Sequence, residues 1–221
     1  PGAWPAPRWP WQRGRHRIDA LVISHADRDH YNAVPRLLDR VPVGTLLIAD
    51  SFLDRRQPMT WAICEQAAAR DVPVKLVRSG DRLLVEAGVS IHVLHPPADW
   101  RDRDDNANSI VLQVEVAGRR VLLTGDLEGR GTERILALPP RTIDVLLSPH
   151  HGSLPANPPQ LGRWAQPGVV IVSGGRETTA ADLAARYPPD CRIFSTRRHG
   201  AVSIEIARDG SIDVRCHRVT E

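Results

Sequence analysis

The stretch SHADRDHYNA, Ser24–Ala33, places His25, Asp27, Asp29 and His30 within six residues, directly after the apolar run IDALVI. An apolar strand that ends in four potential ligands has two physical readings. One is a metal-binding loop, and the other is a polar turn where the chain leaves its core.

The pattern around the stretch sets the frame. IDALVI reads as a buried strand, and VPRLLDRV spaces Val34, Leu37, Leu38 and Val41 along one helix face. GTLLIAD is the next strand and MTWAICEQAAAR the next helix. Five strands follow close together, PVKLVRS, DRLLVEA, SIHVLHP, SIVLQVEV and RRVLLTGD, with AGRR as a hairpin turn before the last. GRGTERILAL reads as a helix, TIDVLLS as a strand, PQLGRWA as a short helix, GVVIVSG as a strand and AADLAARY as a helix. The closing segment CRIFSTRRHGAVSIEIARDGSIDVRC, with turn glycines Gly200 and Gly210, reads as three strands. The class is α/β (α+β). Two sheets covered by helices, a four-layer αββα sandwich, fit this order, and a doubly wound sheet fits it nearly as well.

Polar clusters recur beside the strands. After His25–His30 come DDNANS (Asp104–Ser109), Asp126 at the tip of VLLTGD, and LLSPHHGS with His150 and His151. A divalent ion needs imidazole and carboxylate ligands converging from several loops, because one short segment cannot encircle it. Singly, Asp126 also fits a helix cap and the His pair a surface pair. Four such clusters at strand ends are harder to assign to chance.

SHADRDH, NSIVLQVEVAGRRVLLTGDLE and VLLSPHHGS, in this order, resemble the metallo-β-lactamase superfamily, and specifically the domain attached to the ComEC family of DNA-uptake membrane proteins. The resemblance runs from about Ile18 to Val214. It implies the αββα sandwich, without the family's opening strands, which would precede Ile18. It further implies one or two divalent ions, manganese or zinc. Asp29 and His30 with a histidine of the HHGS pair would hold one ion, His25 and Asp27 the other, and Asp126 would bridge. Both His150 and His151 are kept as candidates.

Departures are informative. The family's HxHxDH pattern appears as HxDxDH, with Asp27 in place of the second histidine, a mark of the ComEC-like branch. Asn108 and Ser109 stand where many members have another histidine. Such an oxygen-rich site favours manganese, or a weakly held second ion. The glycines expected after His30 are Asn32 and Ala33, and the late-loop histidine is missing from SGGRETTAAD, Ser173–Asp182.

The implied activity is a metal-dependent hydrolase, a phosphodiesterase or nuclease acting on single-stranded DNA during competence-related uptake. Asp29 and Asp126 would be its catalytic carboxylates, and Arg28, Asn108, Ser153 and His199 candidate substrate contacts. A catalytically weakened DNA-binding or gating module, or a small-ester or lactone hydrolase, are the alternatives. The expected partner is the membrane channel portion of a parent protein, with the domain on the extracytoplasmic side and no small-molecule organic cofactor. His92 and His95 read as structural, and His16 and His217 as solvated.

Composition is compatible with this and does not demand it. The chain has 221 residues, 42% hydrophobic and 25% charged, with a net charge of +3. No apolar run approaches the roughly 20 residues that span a bilayer. Lys75 is the sole lysine, so the positive charge is nearly all arginine, which suits phosphate contacts and also follows from a GC-rich genome. Cys64, Cys191 and Cys216 have no CxxC spacing, although the last two could meet across neighbouring strands. Residues 1–17, rich in Pro, Trp and Arg, read as a linker or remnant ahead of a domain over 18–221. Trp4, Trp9 and Trp11 there could stack on bases or pack on the domain.

Overall fold

A computed structural model of the chain describes residues 16–53, 58–86, 88–174 and 180–218. The opening tryptophans and residues 175–179 of the Ser173–Asp182 segment lie outside the described residues. The chain divides into two compact units, one ending at Val77 and the other starting at Arg78.

The first unit holds a parallel sheet of β1 (Leu21–Val22), β2 (Leu46–Ile48) and β3 (Val74–Leu76), in that order. Three helices accompany it: α1 (Arg28–Tyr31), α2 (Val34–Arg40) and α3 (Pro58–Ala68). IDALVI makes a shorter strand than its apolar letters suggest. Ile18 forms an isolated bridge with Val43, Asp19 and Ala20 are exposed, and regular pairing begins only at Leu21. Leu46 and Ile48 are fully buried on β2 and pack with Ile23, Leu38, Phe52 and Ile63. Each such side chain contributes roughly 2 kcal/mol on leaving water.

The second unit carries a seven-stranded mixed sheet. Its strands are β4 (Arg82–Glu86), β5 (Val89–His95), β6 (Val111–Val116), β7 (Arg119–Leu123), β8 (Val145–Leu147), β9 (Val169–Val172) and β10 (Arg192–Ser195). They lie in the order β10-β9-β8-β7-β6-β5-β4. β4 to β7 are antiparallel neighbours. The β6–β7 turn is Ala117–Gly118, both with positive φ (49° and 75°), the geometry that matches strand twist in a two-residue hairpin. From β7 onward the connections carry helices α4 (Gly129–Leu136), α5 (Pro159–Ala165) and α6 (Ala180–Ala184), and the strands become parallel. The runs VLL of β8 and VVIV of β9 lack polar alternation because a parallel sheet is covered on both faces. Leu122, Leu146, Val170, Leu161 and Ile135 form the center of this core.

Parallel pairing has a positional consequence. The carboxyl ends of β7, β8, β9 and β10 share one edge of the sheet, and Asp126, His150, Ser173 and His199 follow those ends. In α/β sheets this is the edge on which ligands bind.

Two readings of the C-terminal segment change. Between its first two strands the structure places a helical turn, α7 (Thr196–His199), and the remaining strands, β11 (Val202–Ile206) and β12 (Ile212–Cys216), pair only with each other. Cys191 precedes β10, whose partner is β9, so it does not neighbour the strand of Cys216. All three cysteines are free.

Close approach fixes one glycine. A Cβ on Gly162 of α5 would lie 2.0 Å from the backbone oxygen of Arg186, whereas one on Gly168 would meet the Asp144 oxygen at an ordinary 3.6 Å. Gly162→Ala is expected to destabilise the chain by about 2 kcal/mol or more, and Gly168→Ala by much less. Thermal melts of the two variants check the contrast. A second prediction concerns His95. It is fully buried, its Nδ1 is 2.9 Å from the Ser109 carbonyl, and its Nε2 has no partner. Burial lowers its pKa to about 4, with Arg134 adding to the effect and the Ser109 bond opposing it. The folded state therefore favours neutral His95. Its contribution is complete above the unfolded pKa near 6.5 and is lost as pH falls from there toward about 4. Urea melts between pH 7 and 4 should show a shallower pH slope in His95→Asn than in the wild-type chain, by up to one proton.

Candidate metal centre

In the first unit the site residues follow β1. His25 is almost fully buried, while Asp27 and Asp29 remain partly open to solvent. Asp27 stands at the N-cap of α1 but makes no side-chain cap bond. Asn32 and Ala33 adopt ordinary right-handed helical backbone, so this chain needs no glycine there.

Ser24 organises the two imidazoles. Its Oγ lies 3.0 Å from His25 Nδ1 and 3.1 Å from His30 Nδ1, and the rings stand 4.2 Å apart between centroids. A hydroxyl has two acceptor lone pairs, so Ser24 can receive both Nδ1–H groups. Each ring then presents an unprotonated Nε2. These face carboxylates, His25 Nε2 at 3.5 Å from Asp27 Oδ2 and His30 Nε2 at 3.7 Å from Asp29 Oδ2. Arg28, between the two aspartates, is exposed.

The second unit repeats the arrangement. Asp126 is buried, and the N-cap position of α4 belongs to Glu128, so Asp126 is not a helix cap. The Nε2 atoms of His151 and His150 lie 3.4 Å and 3.9 Å from its Oδ2. Their Nδ1 atoms are engaged elsewhere: His151 donates to the Ser173 carbonyl at 2.7 Å and His150 to Glu128 Oε2 at 2.8 Å. With both ring protons on Nδ1, two nitrogen lone pairs face a carboxylate oxygen. Such a convergence requires positive charge, from a cation or from protonated imidazole. Imidazole nitrogen with carboxylate oxygen suits zinc or manganese, so the donor chemistry fits a divalent ion.

The backbone under the two histidines is strained. His150 (φ 45°, ψ 54°) and His151 (φ 53°, ψ 28°) are consecutive left-handed residues, at a cost of roughly 1 kcal/mol or more each. Asn157 holds them. Its fully buried amide donates to the carbonyls of Pro149 (3.0 Å) and Ser153 (2.7 Å), which flank the pair, and its Oδ1 accepts from Ser148 Oγ (2.8 Å) and from Tyr187 Oη.

The candidate substrate residues fare differently. Asn108 is only 3% exposed; its carbonyl accepts from Asp102 N–H (2.8 Å) and its amide donates to the Asp102 (3.0 Å) and Asp104 (3.1 Å) carbonyls. It braces its own loop, with no donor left for a substrate. His199 bonds through Nδ1 to the Ser195 backbone at 3.0 Å. Ser153 donates its N–H to the His150 carbonyl at 2.9 Å, which tightens the His loop. Sequence reasoning missed Ser24, Glu128, Ser173 and Asn157. Ser24, adjacent to His25, was the one with a local signal.

Comparison with known proteins bears on this geometry. The sequence profile of the metallo-beta-lactamase superfamily matches residues 2–175. The chain is 29% identical over 204 residues to ComE operon protein 3 of Bacillus subtilis (strain 168), covering 92% of this chain and 25% of that protein. It is 30% identical over 159 residues to Recombination protein 2 of Haemophilus influenzae, covering 72% of this chain and 18% of the relative. Competence protein ComA of Neisseria gonorrhoeae is 24% identical over 201 residues, covering 90% and 25%. The chain thus spans a quarter or less of the length of these curated relatives. The superfamily is generally hydrolytic and metal-dependent, with a mixed α/β fold of several sheets such as this one. Its profile covers most of the sequence, and on that ground the chain belongs to the metallo-beta-lactamase superfamily.

Proposed function

We propose that the chain is a metal-dependent phosphodiesterase that cleaves single-stranded DNA during uptake. In this reading His25, Asp27, Asp29 and His30 of the first unit, and Asp126, His150 and His151 of the second, are metal ligands, and the chain holds one or two ions, manganese or zinc. The observation that carries the reading is the convergence of the His150 and His151 Nε2 atoms on Asp126, with both Nδ1 protons committed elsewhere.

A bound divalent ion supplies Lewis acidity toward a phosphoryl oxygen and lowers the pKa of a coordinated water from about 15.7 toward roughly 7. The chain's own residues do the rest. Asp126 and Asp29 hold and orient the attacking water as carboxylate acceptors. Ser24, Glu128 and the Ser173 carbonyl keep the imidazoles turned so that their lone pairs face inward. Exposed Arg28 neutralises a phosphate oxygen of the incoming strand, a bidentate contact that lysine would not reproduce. No serine or cysteine nucleophile is needed.

DNA is favoured over a small ester by two facts. The relatives include proteins named for competence and recombination, and nearly all of this chain's positive charge is arginine. Among the described residues no helix is long and apolar enough to cross a membrane. Attachment to a membrane channel in a parent protein, on the extracytoplasmic side, is part of the proposal.

Incubation of the purified chain with labelled single-stranded DNA and manganese should yield cleavage. Asp126→Ala should reduce it at least 100-fold and lower the bound metal found by elemental analysis. Intact DNA across manganese and zinc, with hydrolysis of a chromogenic ester instead, would replace the nuclease reading with the small-ester one. DNA binding that falls steeply with salt and survives Asp126→Ala, with no cleavage by wild type, would replace it with a gripping role.

A further inference from the structure

Glu128 sits at the start of α4, where an acidic side chain ordinarily caps the helix. Here it makes no cap bond. Its carboxylate instead takes two donors from different segments: His150 Nδ1–H on Oε2 at 2.8 Å and Asn106 Nδ2–H on Oε1 at 3.0 Å. An ionised carboxylate only accepts, so the shared proton belongs to His150 Nδ1, and in the neutral ring the lone pair is on Nε2, on the Asp126 side.

The tether behind Glu128 is itself fixed. Asn106 begins the short turn Asn106–Asn108, its N–H donates to Asp104 Oδ1 at 3.1 Å, and the Asn108 amide braces the same loop. α4 packs directly on this turn: a Cβ on Gly131 would lie 2.6 Å from the Ala107 oxygen. An acid at a helix start is most often a solvated dipole partner. Glu128 differs because its side chain is only 23% exposed and both of its oxygens are used by fixed donors.

We infer that Glu128 is a positioning residue of the metal centre, which holds His150 in the tautomer protonated on Nδ1 and so aims Nε2 at Asp126. The inference rests on the metal-hydrolase reading above and deepens it, since a histidine free to flip or change tautomer also offers the wrong nitrogen. Carboxylate contacts of this kind typically account for 10–100-fold in metal affinity.

The test uses the 221-residue chain as wild type, Glu128→Ala, Glu128→Gln and Asn106→Ala. Nitrogen-15 NMR of metal-free protein reads the tautomer of His150, assigned with a His150→Gln sample. Competition with a chelator reads zinc and manganese affinity, and circular dichroism reads the fold. Glu128→Ala should lose the Nδ1–H form of His150 and bind zinc 10–100-fold more weakly. Glu128→Gln, which keeps an acceptor for His150, should recover most of both. Asn106→Ala, which removes only the tether, should give a smaller loss in the same direction and serves as the test if Glu128→Ala does not fold. Wild-type tautomer and zinc affinity in Glu128→Ala, or in Asn106→Ala where that variant stands in, would overturn the assignment. Failure of the wild type to bind either metal would overturn the metal reading itself, and the tautomer signal separates that outcome from failure of the Glu128 contact.

Discussion

One buried amide underlies the histidine loop of the second unit. Two consecutive left-handed histidines do not persist unaided, and a loop that held them only by contact with solvent would relax to ordinary backbone. Asn157 prevents this by bonding to the carbonyls on both sides of the pair, while Ser148 and Tyr187 satisfy its oxygen. Each such bond is worth about 1 kcal/mol net, and a buried partner left unsatisfied costs roughly 1–3 kcal/mol, so the set outweighs the strain. Burial pushes the Tyr187 phenol well above its ordinary pKa, which keeps it a donor to Asn157 at any physiological pH. Gly152 completes the loop at φ 82°, where a Cβ would lie 2.8 Å from Val172.

The histidine clusters of the two units solve the same problem with different chemistry. A neutral imidazole has one ring proton, and a ligand histidine must place it away from the ion. Ser24 can do so for His25 and His30 with a hydroxyl, the Ser173 carbonyl does so for His151, and the Glu128 carboxylate does so for His150. The carboxylate adds negative charge behind the ring, which makes the facing nitrogen a stronger donor than a neutral acceptor would.

What could be read in the sequence divides by the range of the interaction. PQLGRWA forms a helix over Pro159–Ala165, VPRLLDRV over Val34–Arg40, and the apolar runs of β8 and β9 are strands, because local periodicity and burial decide these elements. The strand-end placement of the histidines and aspartates was legible for the same reason. The helical turn Thr196–His199 was not, since a four-residue turn between strands leaves no period to detect. Nor were Asn157, Glu128 and Ser173 as supports. Glu128 reaches His150 across 22 residues and Tyr187 reaches Asn157 across 30, distances over which a pattern in the chain carries no information.

The bond from His151 to Ser173 also sets an order on assembly. The carbonyl that receives the His151 proton lies 22 residues downstream, at the end of β9. At a synthesis rate of about 5–20 residues per second, the histidine emerges roughly 1–4 s before its partner exists. During that interval His151 lacks one of the contacts that hold it, and the loop is free of the constraint that aims its Nε2. Parallel pairing of β9 on β8 therefore does more than fill the core: it is the event that gives His151 the acceptor that fixes its ring.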